Sequence, residues 1–339
     1  DCHTHTVFAG SRSGEFVQRI EGKTYAQIAA EGGGIAVTVQ AVRAASQDEL
    51  VKEALPRLRR MLAQGVTTVE IKSGYGLTVE DELKMLRAIR RLNERQPIEL
   101  VATYLAAHAV PPEFRGRPDE YLDRVLDDQV LSQIAREHLA EFCDVFCEVG
   151  AFDVSQSRRV LTRAAEHGLV PRVHADQITQ RGASRLAAEV GAVSADHLET
   201  IDEQSIRALR AAGTVAVLLP GCSFFLGVEQ APARTILDAD LPVALATDLN
   251  PGSSMIESLP LVMSIACTQM RMTPAECLVA CTANAAAALK RADRLGAIAE
   301  GMQADLLVLD VPDYRDWAYH VGRNCVSTVI KAGTVVAGG

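Results

Sequence analysis

Seven short apolar runs, each the length of one strand, alternate with amphipathic segments rich in Ala and Arg. The runs are Gly65–Ile71, Ile98–Leu105, Cys143–Cys147, Leu169–Val173, Gly191–Ala195, Thr214–Leu219 and Leu241–Ala246. They are rich in β-branched residues, and most follow a Gly or Pro that can end the preceding element. Segments at helical period lie between them, among them Gln47–Gln64, Val79–Arg95, Ser155–Gly168 and Asp202–Ala212. Strand–helix alternation of this kind implies parallel strands joined by crossovers. Two architectures satisfy it: an open doubly wound sheet and a TIM-type (β/α)8 barrel.

The polar residues favour the barrel. Nearly every run ends in a chemically useful group: His3 and His5, Lys72 to Tyr75, His108, Glu148, His174, His197 and Asp248. In a barrel the C-terminal strand ends form one active-site rim, whereas an open sheet gathers function at one switch point. An eighth strand would fall just before Asp1, so strand one is expected to be a stub or to lie outside this sequence.

A length of 339 residues suits one barrel of about 250 residues with a smaller appendage. Apolar residues make up 48% of the chain, enough for a sizeable core. Lys and Arg total 34 against 43 Asp and Glu, for a net charge of −9. An acidic chain without a dense basic run is not expected to bind nucleic acid or an anionic membrane. The opening Asp1-Cys2-His3 does not read as a secretory signal, and no apolar run is long enough to span a bilayer. Eight scattered cysteines read as reduced core thiols, so a cytoplasmic location is expected.

After Asp248, Thr273, Pro274 and Glu276 form a capping box with a proline start. The helix they open is expected to reach about Leu289. Beyond it, Ala304–Asp310, Val326–Ile330 and Thr334–Val336 read as a small β appendage. The expected division is therefore a barrel over residues 1–290 and part of a β domain over 291–339.

His3-Thr4-His5 is the sharpest local signal. Residues two apart in a strand share a face, so both imidazoles can grip one ion. Five of the eight histidines (His3, His5, His108, His174 and His197) fall at strand ends. With Asp248 they can build a four-group N/O site with room for water. His138 and His167 read as surface groups in helices, and His320 has no evident partner.

These motifs resemble the amidohydrolase superfamily and, within it, the imidazolonepropionase family. Broad features are the opening HxH, the later histidines, the Asp after the last strand, Thr282-Ala-Asn-Ala and Gly301-Met-Gln-Ala-Asp. The narrower likeness rests on His3 to Arg12 with Glu15-Phe16, Glu70 to Leu77 and Ala107-His-Ala-Val-Pro111. It continues through His174-Ala-Asp-Gln177, Ala195-Asp-His-Leu-Glu199 and Thr247 to Ser253. It covers essentially the whole chain, in order.

The resemblance implies an enzyme that opens 4-imidazolone-5-propanoate, a small anionic substrate, to N-formimidoyl-L-glutamate. It implies one zinc or iron ion on His3, His5, His174 and Asp248, with Asp248 and His197 as catalytic groups. Arg12, Tyr75, His108, Gln177, Asn250, Gly252 and Ser253 would meet substrate, and a homodimer is common among similar enzymes. Arg12 suits a carboxylate through its bidentate fork. Gln177 stands where some relatives have Glu, which leaves base catalysis to Asp248. The strand ending in Cys147-Glu148 lacks the lysine that bridges two metals in many superfamily members. Such enzymes also carry a longer N-terminal segment that forms most of the small β domain. The implied fold is thus a TIM-type barrel with a small β-sandwich appendage incomplete at its N-terminus, and strands from about Ala304 are expected to lack partners. Two other readings are a deaminase or different cyclic amidase, and a non-catalytic barrel scaffold.

Overall fold

The computed structural model describes residues 1–23, 27, 28 and 31–338. The seven apolar runs are seven strands: β1 (Thr68–Lys72), β2 (Glu99–Ala107), β3 (Phe142–Cys147), β4 (Val170–Ala175), β5 (Ser194–His197), β6 (Val215–Leu218) and β7 (Val243–Leu245). They pair in chain order, each neighbour parallel to the next. Helical crossovers between consecutive parallel strands curl such a sheet towards a barrel.

Residues 1–5 fill the gap between its two edges. On one side the Glu70 N–H donates to the Asp1 carbonyl at 2.9 Å and the Lys72 N–H to the Thr4 carbonyl at 3.0 Å. On the other side the Asp248 N–H donates to the His3 carbonyl at 3.0 Å and the His5 N–H to the Leu249 carbonyl at 2.9 Å. The segment carrying both histidines therefore acts as the eighth stave, short and irregular, as the stub reading expects.

The helix Gln47–Ala63 shows how the outer layer is fixed. Ser46 Oγ accepts the Glu49 N–H at 3.3 Å, and the Glu49 carboxylate accepts the Ser46 N–H at 2.8 Å. Leu50, Ala54, Leu58 and Met61 recur at helical spacing and are fully buried, at roughly 1.5–3 kcal/mol for each larger side chain. Arg57 shares this face. Its guanidinium lies 3.5 Å from the Phe8 ring centroid and donates to the carbonyls of Thr6 at 3.0 Å and Phe8 at 2.9 Å. Those bonds anchor the chain just after the first histidine pair.

Two expectations about helices change. The helix opened by the Thr273 capping box covers Pro274–Cys281, stops at Thr282 and restarts as Ala283–Ala288. The Ala-rich run favours helix throughout, but packing overrides propensity. Asn284 Nδ2 donates to the Val243 carbonyl at 2.8 Å, and Gly296, at φ +94°, packs against the Ala283 backbone. His138 and His167 are not helical: His138 follows Asp128–Arg136 at φ +51° and is exposed, and His167 caps the end of Val154–Glu166.

The terminal strands find partners in one another. β8 (Leu306–Leu309), β9 (Val326–Lys331) and β10 (Thr334–Gly338) form an antiparallel sheet in the order β10-β9-β8. Leu307 and Val326 rest against Gly65, at φ +96°, where a Cβ would collide with the Leu307 side chain. All eight cysteines are free. No helix among the described residues is long and apolar enough to cross a membrane.

Candidate metal centre and active site

The strand ends converge on a cluster of imidazoles. His3 and His5 come from the eighth stave, His174 from β4, and His197 is the last residue of β5. The His3 ring centroid lies 5.5 Å from His5, 4.6 Å from His174 and 5.6 Å from His197. Asp248, just past β7, places Oδ1 3.5 Å from His3 Nε2 and 3.7 Å from His5 Nε2. One ligating atom from each of His3, His5 and Asp248 falls within 4.8 Å of the other two, and so does one from each of His3, His174 and His197. His197 thus lies as close to the cluster as the four residues assigned to the ion.

These groups fit a cation. His3, His5, His174 and Asp248 are 0, 2, 3 and 2% exposed. Among the described residues, His3 Nε2, His5 Nδ1, His174 Nε2 and Asp248 Oδ1 are buried without a hydrogen-bond partner. Buried polar atoms rarely go unpaired, and neutral imidazole with carboxylate is a common divalent-metal donor set. Burial, then Lys72, holds His3 well below the ordinary histidine pKa; burial, then His108, does the same for His5. Both rings are therefore neutral and able to ligate.

A carboxylate backs two of the rings. His3 Nδ1 shares a 2.6 Å hydrogen bond with Asp196, and His174 Nδ1 lies 3.0 Å from Asp144. Such partners orient a ligating imidazole. They belong to a fully buried charge network inside the barrel. Lys72 Nζ is 2.9 Å from Glu70 and 2.8 Å from Asp144, and Arg172 donates to Asp196 at 2.9 Å. Burial alone would raise both aspartates; His174 and Lys72 hold Asp144, and Arg172 and Lys72 hold Asp196, below the usual carboxylate range. Sequence reading named Lys72 only as a strand-end group and did not foresee this network, although Glu70 and Lys72, like Arg172 and His174, sit two apart in strands and share a face.

His197 and Asp248 differ from the other groups. Both take left-handed backbone angles, at φ +83° and +51°, strain that collects at functional sites. Burial raises Asp248 to about 6. Burial opposes charge on His197, but Glu199, 3.5 Å from Nδ1, with Asp248 and Asp196, brings its pKa above the ordinary value.

The expected substrate residues line the same rim. His108 stacks on His5 at 5.1 Å and takes a 2.9 Å contact from Nδ1 to the Gly74 carbonyl. Tyr75 is buried, its ring 5.6 Å from His5 and 5.4 Å from His108. Its Gly-Tyr-Gly loop is held by Glu82, whose carboxylate accepts the N–H groups of Gly74, Gly76 and Leu77 at 2.8, 2.9 and 2.8 Å. Gly76 is required because a Cβ there would strike the first turn of the helix Val79–Asn93.

Arg12 pairs with Glu15 through Nε at 3.0 Å and Nη2 at 2.8 Å, and its Nη1 lies where a Cβ on Gly252 would be. Asn250 turns inward. Its Oδ1 accepts the N–H groups of Gly252 at 2.8 Å and Ser253 at 2.7 Å, and its Nδ2 donates to the Asp248 carbonyl at 2.7 Å. Gln177 Nε2 reaches Cys222 Sγ at 3.7 Å, a residue that sequence reading did not single out. Glu148, another strand-end group, accepts the N–H of Ile178 at 2.9 Å and of Thr179 at 3.0 Å, so it braces the loop that carries Gln177.

Comparison with known proteins agrees with this geometry. The description of the amidohydrolase family matches residues 3–337. Imidazolonepropionase of Geobacillus kaustophilus is 50% identical over 336 residues, which span 99% of this chain and 79% of that protein. The chain belongs to the imidazolonepropionase family. It is therefore an amidohydrolase, a class of hydrolytic enzyme. Among solved structures, 5-methylcytosine deaminase from Klebsiella pneumoniae liganded with 5-fluorocytosine has a TM-score of 0.74 at 18% identity, covering 100% of this chain and 85% of that one. A variant of atrazine chlorohydrolase from Arthrobacter aurescens complexed with zinc and atraton has a TM-score of 0.65 at 16% identity, covering 100% and 82%. Both show the fold shared by the family.

Proposed function

We propose that the chain hydrolyses the cyclic amide of 4-imidazolone-5-propanoate to N-formimidoyl-L-glutamate, a step of histidine degradation, with one zinc or iron ion held by His3, His5, His174 and Asp248. The observation that carries this reading is the convergence of His3, His5 and Asp248, with His174 beside them, on the rim, each buried and each with an unpaired polar atom, two of the imidazoles backed by carboxylates. A divalent ion there supplies Lewis acidity and makes water ionisable near neutral pH.

The chain's own groups do the rest. Asp248 takes a proton from the attacking water as its oxygen adds to the ring carbonyl. His197 donates a hydrogen bond to the oxyanion that develops. The ring C–N bond then breaks, and Asp248 returns the proton to the leaving nitrogen. Glu15 uses two of the five N–H donors of Arg12, so the guanidinium edge over Gly252 is positioned for the propionate. Tyr75, His108 and Gln177 border the ring, and Ser253 and Gly252 border the tail. Asn250 acts by shaping their loop.

Turnover of freshly made 4-imidazolone-5-propanoate by metal-loaded protein, with product identified by mass, tests this. Formimidoylglutamate at an enzymatic rate is the expected result. Release of ammonia from an aminated heterocycle, with no opening of the imidazolone ring, would overturn it in favour of a deaminase.

A further inference from the structure

We propose that His197, Cys222 and Asp248 form a second divalent-metal site beside the first, and that a zinc-class ion entering it stops turnover. One ligating atom from each of the three lies within 4.8 Å of the other two. The residues are 2, 1 and 2% exposed. Cys222 stands in the short helix Pro220–Leu226 that follows β6, so the thiol is delivered to the rim by a strand end that supplies none of the residues assigned above.

Cys222 belongs to the buried apolar cluster that includes Val217, Leu219 and Ala246, yet its sulfur also meets polar groups. Gln177 Nε2 points at its sulfur, and Asp248 is one of its electrostatic neighbours. His197 Nδ1 is buried without a hydrogen-bond partner among the described residues, 3.5 Å from Glu199, which can orient the ring as an outer partner. Thiolate, imidazole and carboxylate together suit zinc, cobalt or cadmium, and the sulfur favours such ions over magnesium or calcium. Binding forms a metal–sulfur bond and releases the thiol proton to solvent; no electron is transferred.

Inhibition follows from which groups are shared. An ion on this site occupies the His197 nitrogen that faces the oxyanion and an Asp248 oxygen needed to move the proton. It would also sit beneath Gln177. The inference goes beyond the proposed reaction but rests on its assignment of Asp248 and His197.

The test is cobalt and zinc titration of the full chain, with bound metal quantified after dialysis and turnover followed in parallel. Wild type should bind two equivalents. The second equivalent of cobalt should bring a sulfur-to-cobalt charge-transfer band in the near ultraviolet, and turnover should fall as it binds. Cys222→Ala and Cys222→Ser should keep one equivalent and turnover, without the band. Their second equivalent should bind at least about a hundredfold more weakly, since even outer-shell changes cost about 10–100-fold in affinity. One equivalent in wild type, with no sulfur band at excess metal, would overturn the inference and leave the first site standing. Equal inhibition of wild type and Cys222→Ala would overturn it as well. No bound metal in wild type would overturn the first site and this one together.

Discussion

The barrel rim and the terminal sheet solve opposite problems. On the rim, burial is spent on charge: Glu70, Lys72, Asp144, Arg172 and Asp196 are all 0% exposed, and the histidines above them leave donor atoms unpaired. In the sheet of β8, β9 and β10, no charge is buried in the strands and most apolar residues are half-exposed; of these only Val329 is fully enclosed. Buried charge is tolerated when it is fully paired and is severe to disturb, whereas a shallow apolar sheet loses little when trimmed. The rim should therefore respond to substitution through chemistry and metal affinity, and the sheet through small changes in stability.

The largest expected effect is at Asp248. Asp248→Asn keeps the shape but removes the proton acceptor, so kcat should fall about a thousandfold, within the usual range of acid–base groups of about 10²–10⁴. His197→Ala should also cut turnover strongly while the ion on His3, His5, His174 and Asp248 is retained; loss of that ion would make His197 one of its ligands. Asp196→Ala comes next. It leaves Arg172 without a carboxylate partner and frees His3 Nδ1, so denaturant unfolding should show a loss of about 3–5 kcal/mol, with weaker metal retention. A neutral outcome in both would erase the contrast between rim and sheet.

Smaller effects sharpen it. Arg12→Ala should raise KM by about 10–100-fold, as for a charged hydrogen bond of about 1.5–3 kcal/mol, with kcat less affected. Thr273→Ala, remote from the chemistry, should cost about 1 kcal/mol and leave kcat unchanged. It should also change the acid limb of stability. Arg234, with Thr273, holds Glu276 down to about 2. A folded pKa below the unfolded one stabilises above the ordinary carboxylate range and is lost as pH falls towards about 2. Thermal melts between pH 5 and pH 2 should therefore show a shallower acid decline in the variant.

What could be read from sequence, and what could not, divides along physical lines. The strands were legible because β-branched runs have a length and period that helices lack. The cluster of His3, His5, His174, His197 and Asp248 was legible because nearly every run ends in an ionisable group. The charge network was partly visible, since Arg172 precedes His174 by two residues on one face, but its pairing depends on strand register. Cys222 carried no signal: a single cysteine after Pro220-Gly221 has no spacing to interpret, and only the barrel's closure brings it to Asp248. The break at Thr282 was hidden because alanine favours helix on both sides, and Asn284 and Gly296 impose it through tertiary contact. Asn250 was expected to face substrate, yet its amide is engaged with its own loop, a geometry that depends on the turn through Gly252.

The most direct test of the account is anomalous X-ray scattering from crystals of the metal-loaded protein, collected at the absorption edge of the bound ion. The account predicts a principal peak enclosed by His3, His5, His174 and Asp248. A fully loaded protein with no peak there, or with its ion on another part of the surface, would contradict it.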